Sequence, residues 1–509
     1  MASSVVNVAR TARVPVVVVL GATGTGKSKL AIEIAKEFNG EIISADSMQV
    51  YHGLDIVTNK VTSEEKALAP HHLLDFLDPL SRYSVLDFRN AALPLMERLL
   101  SKGIIPVIVG GTNYYIESLL WNVLVESAPE EEVTEDKLVY ERDKEYYGRP
   151  TVKGESVQRR NKNVGANCDE NVPKKSKNDS GNAKNNKAFA FHSEIEDDNI
   201  EQGKESEVKE NVEKPKDKSA CIAWQDCNLP TEDLYQRLLE VDPTSAMEYH
   251  PNNRRKIIRS LQVWEQTGRQ HSEVLKEQRQ QVGGSQLGGA LRFQNTAILW
   301  ITCQQDVLDE RLDDRVDDMI KRGLLQELTD FHMAYNTARL RDGQDADYTK
   351  GIFQSIGFKE FHQYLILPES ERTMDEGKKL YMTGVENLKQ VTRRYSRKQV
   401  RWIRNRFILP SKRQVPPVYT VDGTDPKRWD TKVKEPALSI VQALLEGEKP
   451  NCDPVKFSKT AEFADIDTND KTRFECDVCG RVVIGQLQWH SHLKGAKHRK
   501  MLKRKHQTN

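Results

Sequence analysis

A glycine-rich loop between an apolar strand and a helix constrains the fold more than any other feature of this sequence. The loop Gly21–Ser28 reads GATGTGKS, follows the apolar run Pro15–Leu20 and precedes Ser28–Phe38, where apolar residues recur at helical spacing. This is the strand–loop–helix context of the G-x-x-x-x-G-K-[ST] motif. In such loops the backbone N–H groups and the helix N-terminus hold phosphate oxygens, Lys27 supplies positive charge and Ser28 is a ligand for Mg²⁺. The loop therefore predicts a polyphosphate ligand without identifying which one.

The same region predicts an α/β fold with a parallel sheet. Apolar segments at Glu41–Ala45 and Ile104–Val109 read as two further strands. Alternation of strands and helices gives a P-loop parallel sheet whose ligands bind at the carboxyl ends of the strands. Asp46 directly follows the second strand, so its carboxylate could hold a metal, accept a proton or cap a helix. The polar, apolar and aromatic side chains of Ser47–Tyr51 could read the edge of a base and stack on it.

Composition limits the classes of protein to which the chain can belong. In 509 residues, 76 Lys and Arg balance 75 Asp and Glu, and the net charge of +1 excludes a uniformly basic nucleic-acid-binding surface. A mean hydropathy of −0.65 is low for a fully compact chain and indicates partial disorder. Without a run of about 18 apolar residues, no transmembrane helix and no membrane partner are expected. Seven cysteines are too few for a disulfide framework and favour a reducing compartment.

Changes in composition divide the chain into six segments. In order they are a candidate targeting segment (1–13), the first part of the P-loop core (14–127), a helical insertion (128–290), the second part of the core (291–410), an irregular linker (411–470) and a small basic module (471–509). Within the insertion, residues 151–220 are dominated by Lys, Asn, Glu, Asp and Ser and are predicted to be disordered. The helices that follow are expected to break at Pro243 and Pro251.

The N-terminal segment bears on the compartment. It contains no acid, two serines, Arg10 and Arg13, which is the composition of a short mitochondrial presequence; a frayed terminus is the alternative interpretation. Cytoplasm and mitochondrion are therefore the expected locations. The basic residues at the end of the chain make the nucleus a further one.

The second part of the core carries a strongly basic helix. The pattern predicts a strand at Ala297–Thr302 and long helices at Asp306–Phe331 and Val385–Phe407. Over Thr392–Phe407 the cations are interleaved with aromatic residues and no acid is present. Because a solvated helix face normally mixes both signs, this pattern favours contact with nucleic-acid phosphates. A second basic cluster lies on a predicted helix at 254–259.

The last segment has the ligand spacing of a C2H2 zinc finger. Cys476 and Cys479 are followed by His492 and His498, and two thiolates with two imidazoles fill a tetrahedral structural site. A structural Zn²⁺ is therefore expected, and no catalytic role, because no coordination position stays open. His490 is a rival ligand, although its spacing is shorter than usual. The many lysines and arginines after the ligands favour binding to an RNA backbone.

Eight separated stretches together resemble one family. They are GATGTGKS, ISADSMQVYHGLDIVTNKV, PHHLLDFLDP, GGTNYYIESLLW, HPNNRRKIIRSLQVWEQTG, RLDDRVDDM, QSIGFKEF and TRRYSRKQVRW. Over 14–125 and 231–410 the chain resembles the tRNA dimethylallyltransferases, also called tRNA isopentenyltransferases, and its finger resembles the matrin or U1-like finger of the animal form. The phosphate loop alone would be weak evidence, whereas the ordered set is specific.

The resemblance implies transfer of a dimethylallyl group from dimethylallyl diphosphate to N6 of adenosine 37, beside the tRNA anticodon. The phosphate loop would then hold a diphosphate leaving group, with Thr23 and Lys27 on its oxygens and Mg²⁺ at Ser28. Asp46 would accept the N6 proton. Arg315 is the candidate for a second cation on the diphosphate, and Arg311 is the competing choice. The implied diphosphate-binding residues are Gly21, Thr23, Gly24, Thr25, Gly26, Lys27 and Ser28.

The family pattern also implies how tRNA is held. Asp46–Gln49 would meet a flipped-out adenine, and Thr112–Tyr114 would line the channel between the two substrate sites. The two basic helices would grip the anticodon stem-loop. The implied tRNA-binding residues are Asp46, Ser47, Met48, Gln49, Thr112, Arg255, Lys256, Arg259, Arg393, Arg394, Arg397, Lys398 and Arg401.

Three other functions remain open at this point. A P-loop nucleotide kinase would explain the loop and Asp46 but neither the basic helix nor the finger. A prenyltransferase acting on free adenine nucleotides would need no surface that grips an anticodon. A non-enzymatic RNA-binding protein would make Lys27 and Asp46 dispensable. The favoured interpretation is a monomeric enzyme whose partners are tRNA and dimethylallyl diphosphate.

Overall fold

A computed structural model describes residues 14–123, 229–336, 348, 351–409, 413–455 and 470–508. The candidate targeting segment at 1–13 and the predicted disorder at 151–220 lie outside the described residues. Within the described ranges, no helix is both long enough and apolar enough to cross a bilayer.

The described part of the chain contains a six-stranded sheet in which neighbouring strands run parallel, in the order β3-β2-β4-β1-β5-β6. The predicted α/β P-loop parallel sheet is therefore confirmed. The strands are β1 (Val16–Gly21), β2 (Glu41–Ser44), β3 (His71–His72), β4 (Pro106–Val109), β5 (Thr296–Thr302) and β6 (Val418–Asp422).

Strand β1 lies in the middle of this sheet. Val18 pairs with Ile108 of β4 on one side and with Ile298 of β5 on the other. Every residue of β1 is buried, because helices cover both faces of the sheet, and this explains its uninterrupted apolar sequence. The loop that follows β1 consequently opens at the centre of the sheet edge.

Helices cover the two faces of the sheet and build the insertion. Those before the insertion are α1 (Lys27–Glu37), α2 (Ser63–Leu68), α3 (Val85–Ser101) and α4 (Asn113–Leu120). Those of the insertion are α5 (Thr231–Val241), α6 (Pro243–Glu248), α7 (Arg254–Thr267) and α8 (His271–Gln280). After β5 come α9 (Gln305–Lys321), α10 (Leu324–Tyr335), α11 (His362–Leu365), α12 (Glu369–Arg372), α13 (Asp375–Ile403) and α14 (Glu435–Glu446).

The insertion is helical and broken at both predicted prolines. Helix α5 ends at Val241, and Pro243 occupies the first position of α6, where its missing N–H costs nothing. Pro251 lies between α6 and α7. Asp242 ties the helices together by accepting hydrogen bonds from the backbone N–H groups of Ser245 and Ser272.

Two sequence-based expectations are wrong in the second part of the core. The single helix predicted at Asp306–Phe331 is two helices, because Gly323 adopts a left-handed conformation with φ of 100° between α9 and α10. The basic helix begins at Asp375, ten residues before the predicted start at Val385, and its last turn widens into a π-helix at Arg404–Ile408.

The linker predicted at 411–470 is also wrong, because the described residues of this segment complete the sheet. Strand β6 adds to the outer edge of β5, with Leu299 opposite Tyr419. Helix α14 then buries Ile440 and Val441 in the core that contains α1. Prolines favour irregular structure, but Pro416 and Pro417 precede β6 and Pro436 lies in the first turn of α14, positions where proline is compatible with regular structure.

The last described segment, residues 470–508, forms a small module of its own. Strands β7 (Arg473–Cys476) and β8 (Arg481–Ile484) form an antiparallel hairpin. Helices α15 (Gln486–Lys494) and α16 (Ala496–Thr508) follow it. The hairpin and the two helices bring two cysteines and two histidines together, as expected for a C2H2 finger.

Candidate active site

A cavity of about 290 Å³ opens at the carboxyl ends of β1, β2 and β4. Parallel α/β sheets bind their ligands at this edge. Its polar lining comes mainly from the phosphate loop, the segments after β2 and β4, helix α9 and helix α13, and Glu65 of α2 and His71 of β3 add to it. The side chains and glycines that matter most are Thr23, Gly24, Gly26, Lys27, Ser28, Asp46, Gln49, Gly111, Arg315, Tyr395 and Gln399.

The phosphate loop is held in a closed shape. The hydroxyl of Thr25 and the ammonium of Lys27 both donate to the carbonyl oxygen of Ala22, each at 2.9 Å. Gly26 has a φ of 90°, and a Cβ there would lie 2.6 Å from the ring of Trp429. Only glycine therefore fits between the loop and this tryptophan, whose indole N–H donates to Glu33 of α1 at 2.9 Å.

Two cations face the cavity from different elements. Burial lowers the pKa of Lys27 to about 8, although the nearby Asp46 opposes this shift. Burial likewise lowers the pKa of Arg315 to about 10, and Arg322 adds to the decrease. Both positive charges are partly desolvated and repel each other, so an anion in the cavity would be strongly favoured.

Arg315, and not Arg311, reaches the cavity. The guanidinium of Arg315 donates to the hydroxyl of Thr23 at 3.2 Å. Arg311 points to the outside of the loop, where it donates to the carbonyl oxygens of Gly423 at 3.1 Å and Thr424 at 2.9 Å. The structure therefore places Arg315 where a cation could contact a bound diphosphate.

Asp46 lies between the phosphate loop and the segment after β4. One of its carboxylate oxygens accepts the backbone N–H of Met48 at 3.0 Å. A Cβ on Gly111 would lie 3.0 Å from the other oxygen, so a glycine leaves space for this carboxylate. The backbone N–H of Ser47 donates to the hydroxyl of Thr112 at 3.0 Å, which joins the two segments.

Gln49 supports the segment that it belongs to. Its amide nitrogen donates to the carbonyl oxygens of Thr58 at 3.0 Å and Asn59 at 3.1 Å. Its amide oxygen faces the hydroxyl of Ser44 at 3.4 Å. Gln49 is thus oriented by its neighbours while it lines the cavity.

Sequence reasoning missed Gln399 as a site residue and took Tyr395 for part of a nucleic-acid surface. The amide oxygen of Gln399 accepts the backbone N–H of Thr23 at 2.8 Å, and its amide nitrogen donates to the carbonyl oxygen of Gly111 at 2.9 Å. Tyr395 donates to the same carbonyl at 3.2 Å. Burial, with Asp46 nearby, raises the pKa of Tyr395 well above its usual range. Their four-residue spacing on the inner face of α13 was the available signal.

The predicted basic residues form two surfaces. On α7, Arg255 and Lys256 are exposed, and burial lowers the pKa of Arg259, which lies near Tyr114. The ring of Tyr114 packs edge-on against Trp402 at 6.1 Å. Cations and aromatic rings from α7, α4 and α13 therefore meet in one patch, the combination that suits phosphates and bases.

The cations of α13 divide into two groups. Arg394, Lys398 and Arg401 lie on its exposed side. Arg393 and Arg397 instead form ion pairs with Asp313 and Asp309 of α9. Part of the predicted phosphate-binding stripe is therefore paired with α9, including Arg397, whose side chain remains exposed.

The finger residues converge as their spacing predicted. The ligand atoms of Cys476, Cys479, His492 and His498 lie within 4.8 Å of one another. This donor set fits a structural Zn²⁺, whereas the rival His490 is exposed and is not part of the cluster.

The finger contacts the insertion through its first strand and the residues just before that strand. Lys471 pairs with Glu248 at the end of α6, and the guanidinium of Arg473 donates to the hydroxyl of Tyr235 at 3.0 Å. Lys256 and Lys471 also line the same surface hollow. The cations of the finger and of α7 are thus neighbours.

Models of known protein families match most of the chain. The family model for IPP transferases matches residues 49–171 and 194–406. A model for isopentenyl transferases matches 14–69. A C2H2 zinc-finger model matches 474–498.

Individual relatives span nearly the whole chain. The tRNA dimethylallyltransferase of Homo sapiens is 41% identical over 493 residues, which are 96% of this chain and 86% of that protein. The tRNA dimethylallyltransferase of Saccharomyces cerevisiae is 28% identical, over 96% of this chain and 92% of its own length. A crystal structure of a eukaryotic dimethylallyltransferase acting on tRNA superposes with a TM-score of 0.66 at 26% identity, covering 97% of this chain and 98% of that one. The chain therefore belongs to the tRNA dimethylallyltransferase family and carries a C2H2 zinc finger over residues 474–498.

Proposed function

We propose that this enzyme transfers a dimethylallyl group from dimethylallyl diphosphate to N6 of adenosine 37 in tRNA, giving N6-isopentenyladenosine and diphosphate. One observation carries the proposal: Lys27, Arg315 and Asp46 line a single cavity, so two cations and a carboxylate face the same small space. The two cations can bind a diphosphate, and the carboxylate can accept a proton from an amine. A basic helix that contributes Tyr395 and Gln399 to this cavity continues onto an exposed surface that suits RNA.

The cationic side of the cavity acts on the leaving group. The C–O bond of the donor breaks and its electron pair stays on the diphosphate. Negative charge therefore grows on oxygens that Lys27, Arg315 and the loop N–H groups face. Donors fixed before the reaction stabilise this charge more in the transition state than in the ground state.

The carboxylate side of the cavity acts on the acceptor. The N6 amine forms the new C–N bond and loses a proton, which Asp46 accepts. An exocyclic amine is a poor nucleophile, so it needs both a positioned base and an aligned donor. A base stacked within the anticodon loop cannot reach the cavity, so the adenine must be extruded towards Asp46–Gln49.

A magnesium ion belongs to this proposal. Ser28 lines the cavity beside Lys27 and offers a hydroxyl oxygen, a hard donor of the kind that Mg²⁺ prefers. Bound there with Ser28 as ligand, the ion would offset part of the charge of the diphosphate. Lys27 and Arg315 would supply the rest of the compensation.

The basic surfaces hold the tRNA. Arg255 and Arg259 of α7 lie near Tyr114, whose ring contacts Trp402 of α13. Lys256 and the exposed cations of α13 extend the positive charge along the two helices. The zinc finger, bound to the insertion through Lys471 and Arg473, extends the basic surface. Its metal serves folding, because four protein ligands leave no open position.

Mass spectrometry of nucleosides tests the proposal. Purified enzyme, unmodified tRNA, Mg²⁺ and dimethylallyl diphosphate should yield N6-isopentenyladenosine at one position, 3′ of the anticodon. Matched reactions would replace the tRNA by AMP or ATP, or the donor by γ-labelled ATP with nucleoside monophosphates. Modification of the free nucleotides but not of tRNA, or rapid transfer of the label, would overturn the proposal.

A further inference from the structure

Helices α9 and α13 are joined by a ladder of ion pairs. The acids on α9 and the bases on α13 both recur every four residues, and they pair in opposite chain order, so the helices run antiparallel. The pair between Lys389 and Asp317 has a distance of 2.7 Å. The three pairs are Lys389 with Asp317, Arg393 with Asp313 and Arg397 with Asp309.

Helix α9 also contacts the phosphate loop. The side chain of Leu312 packs against Gly24, where an added Cβ would lie only 2.7 Å away. One turn on, Arg315 donates to the hydroxyl of Thr23. The position of α9 therefore sets how deeply Arg315 enters the cavity.

Helix α13 holds the same loop residue from another direction. Gln399 accepts the backbone N–H of Thr23 and donates to Gly111. Thr23 is thus held through its side chain by α9 and through its backbone by α13. Any slip between the two helices would move Arg315 relative to Gln399, and with them the loop that receives the diphosphate.

We propose that the ladder is a positioning device for diphosphate binding, and that Lys389, Arg393 and Arg397 serve it rather than the tRNA. The inference rests on the proposed function, because it takes the cavity as the diphosphate site. The arginine side chains are 25% and 46% exposed, and ion pairs so open to water add little net stability. Their regular spacing is therefore better explained by the alignment of the two helices than by the stability of the fold.

Charge reversal within one rung tests the ladder. Arg393→Asp and Asp313→Arg each place like charges opposite one another, and each should raise the KM for dimethylallyl diphosphate about tenfold with an unchanged KM for tRNA. The double variant Arg393→Asp/Asp313→Arg restores the pair in reverse and should return that KM to within about twofold of the wild type. A general folding defect would instead change the kcat and both KM values together.

Arg394→Asp is the matched control, because Arg394 is the exposed neighbour on the same helix. It should raise the KM for tRNA and leave the KM for the donor unchanged. If Arg393→Asp behaved like Arg394→Asp, or if the double variant stayed as impaired as the single ones, the ladder would have no positioning role. Should the first swap fail to fold, the rung of Arg397 and Asp309 gives the same test. Absence of transfer by the wild type would instead contradict the proposed function.

Discussion

The cavity at the sheet edge and the zinc finger are assembled over very different distances along the chain. The four finger ligands lie within residues 476–498, on one hairpin and the helices after it. The cavity takes its lining from residues as far apart as Thr23 and Gln399. The finger therefore follows from local spacing, whereas the cavity depends on how the sheet, α9 and α13 pack together.

The two regions also differ in what their charges do. In a C2H2 finger the bound metal holds two thiolates and two imidazoles together. The free energy of metal binding therefore contributes directly to the folding of the finger. The cavity instead keeps Lys27 and Arg315 partly desolvated near one another, which a packed protein can sustain only through its other contacts. We therefore expect changes to the finger to alter the affinity for tRNA, and changes to the cavity to alter the rate of the reaction.

The largest expected effect separates the two regions most clearly. Asp46→Ala should lower kcat by about 10²–10⁴-fold, which is the usual loss when a positioned base is removed. The affinity for tRNA should stay near that of the wild type, because the basic surfaces are untouched. Single-turnover rates and filter binding with the same tRNA would measure the two quantities. Asp46→Asn, which keeps the shape of the side chain, should be as slow; near-normal activity in it would remove Asp46 from the reaction.

The finger gives the opposite pattern. Cys476→Ser should release the metal and raise the KM for tRNA about tenfold, through loss of contacts to the phosphate backbone. At saturating tRNA the kcat should stay within about twofold of the wild type, since the finger lies outside the cavity. Steady-state kinetics with metal analysis would test this, and His490→Asn, which alters no residue of the ligand cluster, is the control. A large loss of kcat would mean that the finger acts on the reaction itself.

The same contrast explains how much the sequence could predict. The phosphate loop, the strand before it, Asp46 and the finger ligands each lie in a short pattern, and the structure places them as expected. The roles of Gln399 and Tyr395 in the cavity could not be predicted, because the many cations on their helix indicated a nucleic-acid-binding surface instead. The ion pairs of Arg393 and Arg397 could not be foreseen, since their partners are some 80 residues away along the chain. Strand β6 was missed because Pro416 and Pro417 precede it.

The pH dependence of the kcat/KM for the donor should report on a group in the cavity and not on the finger. Because the pKa of Lys27 is about 8 in the protein, raising the pH through this value removes a positive charge that a diphosphate needs. The kcat/KM for the donor should therefore fall about tenfold from about pH 7 to about pH 9. Lys27→Arg keeps its charge at these pH values, so its lower activity should show a flat profile. An equal fall in Lys27→Arg would assign the titration to another group.

The smallest expected effect concerns Trp429, which lies in the segment predicted to be a linker, and it tests whether this residue belongs to the cavity. Its ring packs on Gly26, and the ammonium of Lys29 lies 4.6 Å from the ring centroid. Trp429→Leu should loosen the loop from outside, raise the KM for dimethylallyl diphosphate about threefold and leave the kcat unchanged. It should also lower the free energy of unfolding by roughly 2 kcal/mol, because a buried ring is lost.

Trp429→Phe keeps a ring over Gly26 but loses the hydrogen bond to Glu33, which separates the two contributions. If packing on the loop matters, Trp429→Phe should retain the KM of the wild type, while Glu33→Gln should change only stability. A KM that rises equally in Trp429→Phe and Glu33→Gln would show that the hydrogen bond to α1 acts on the loop. If the KM rose in none of the three variants, this distant segment would complete the sheet without shaping the cavity, and the boundary of the site would lie at α9 and α13.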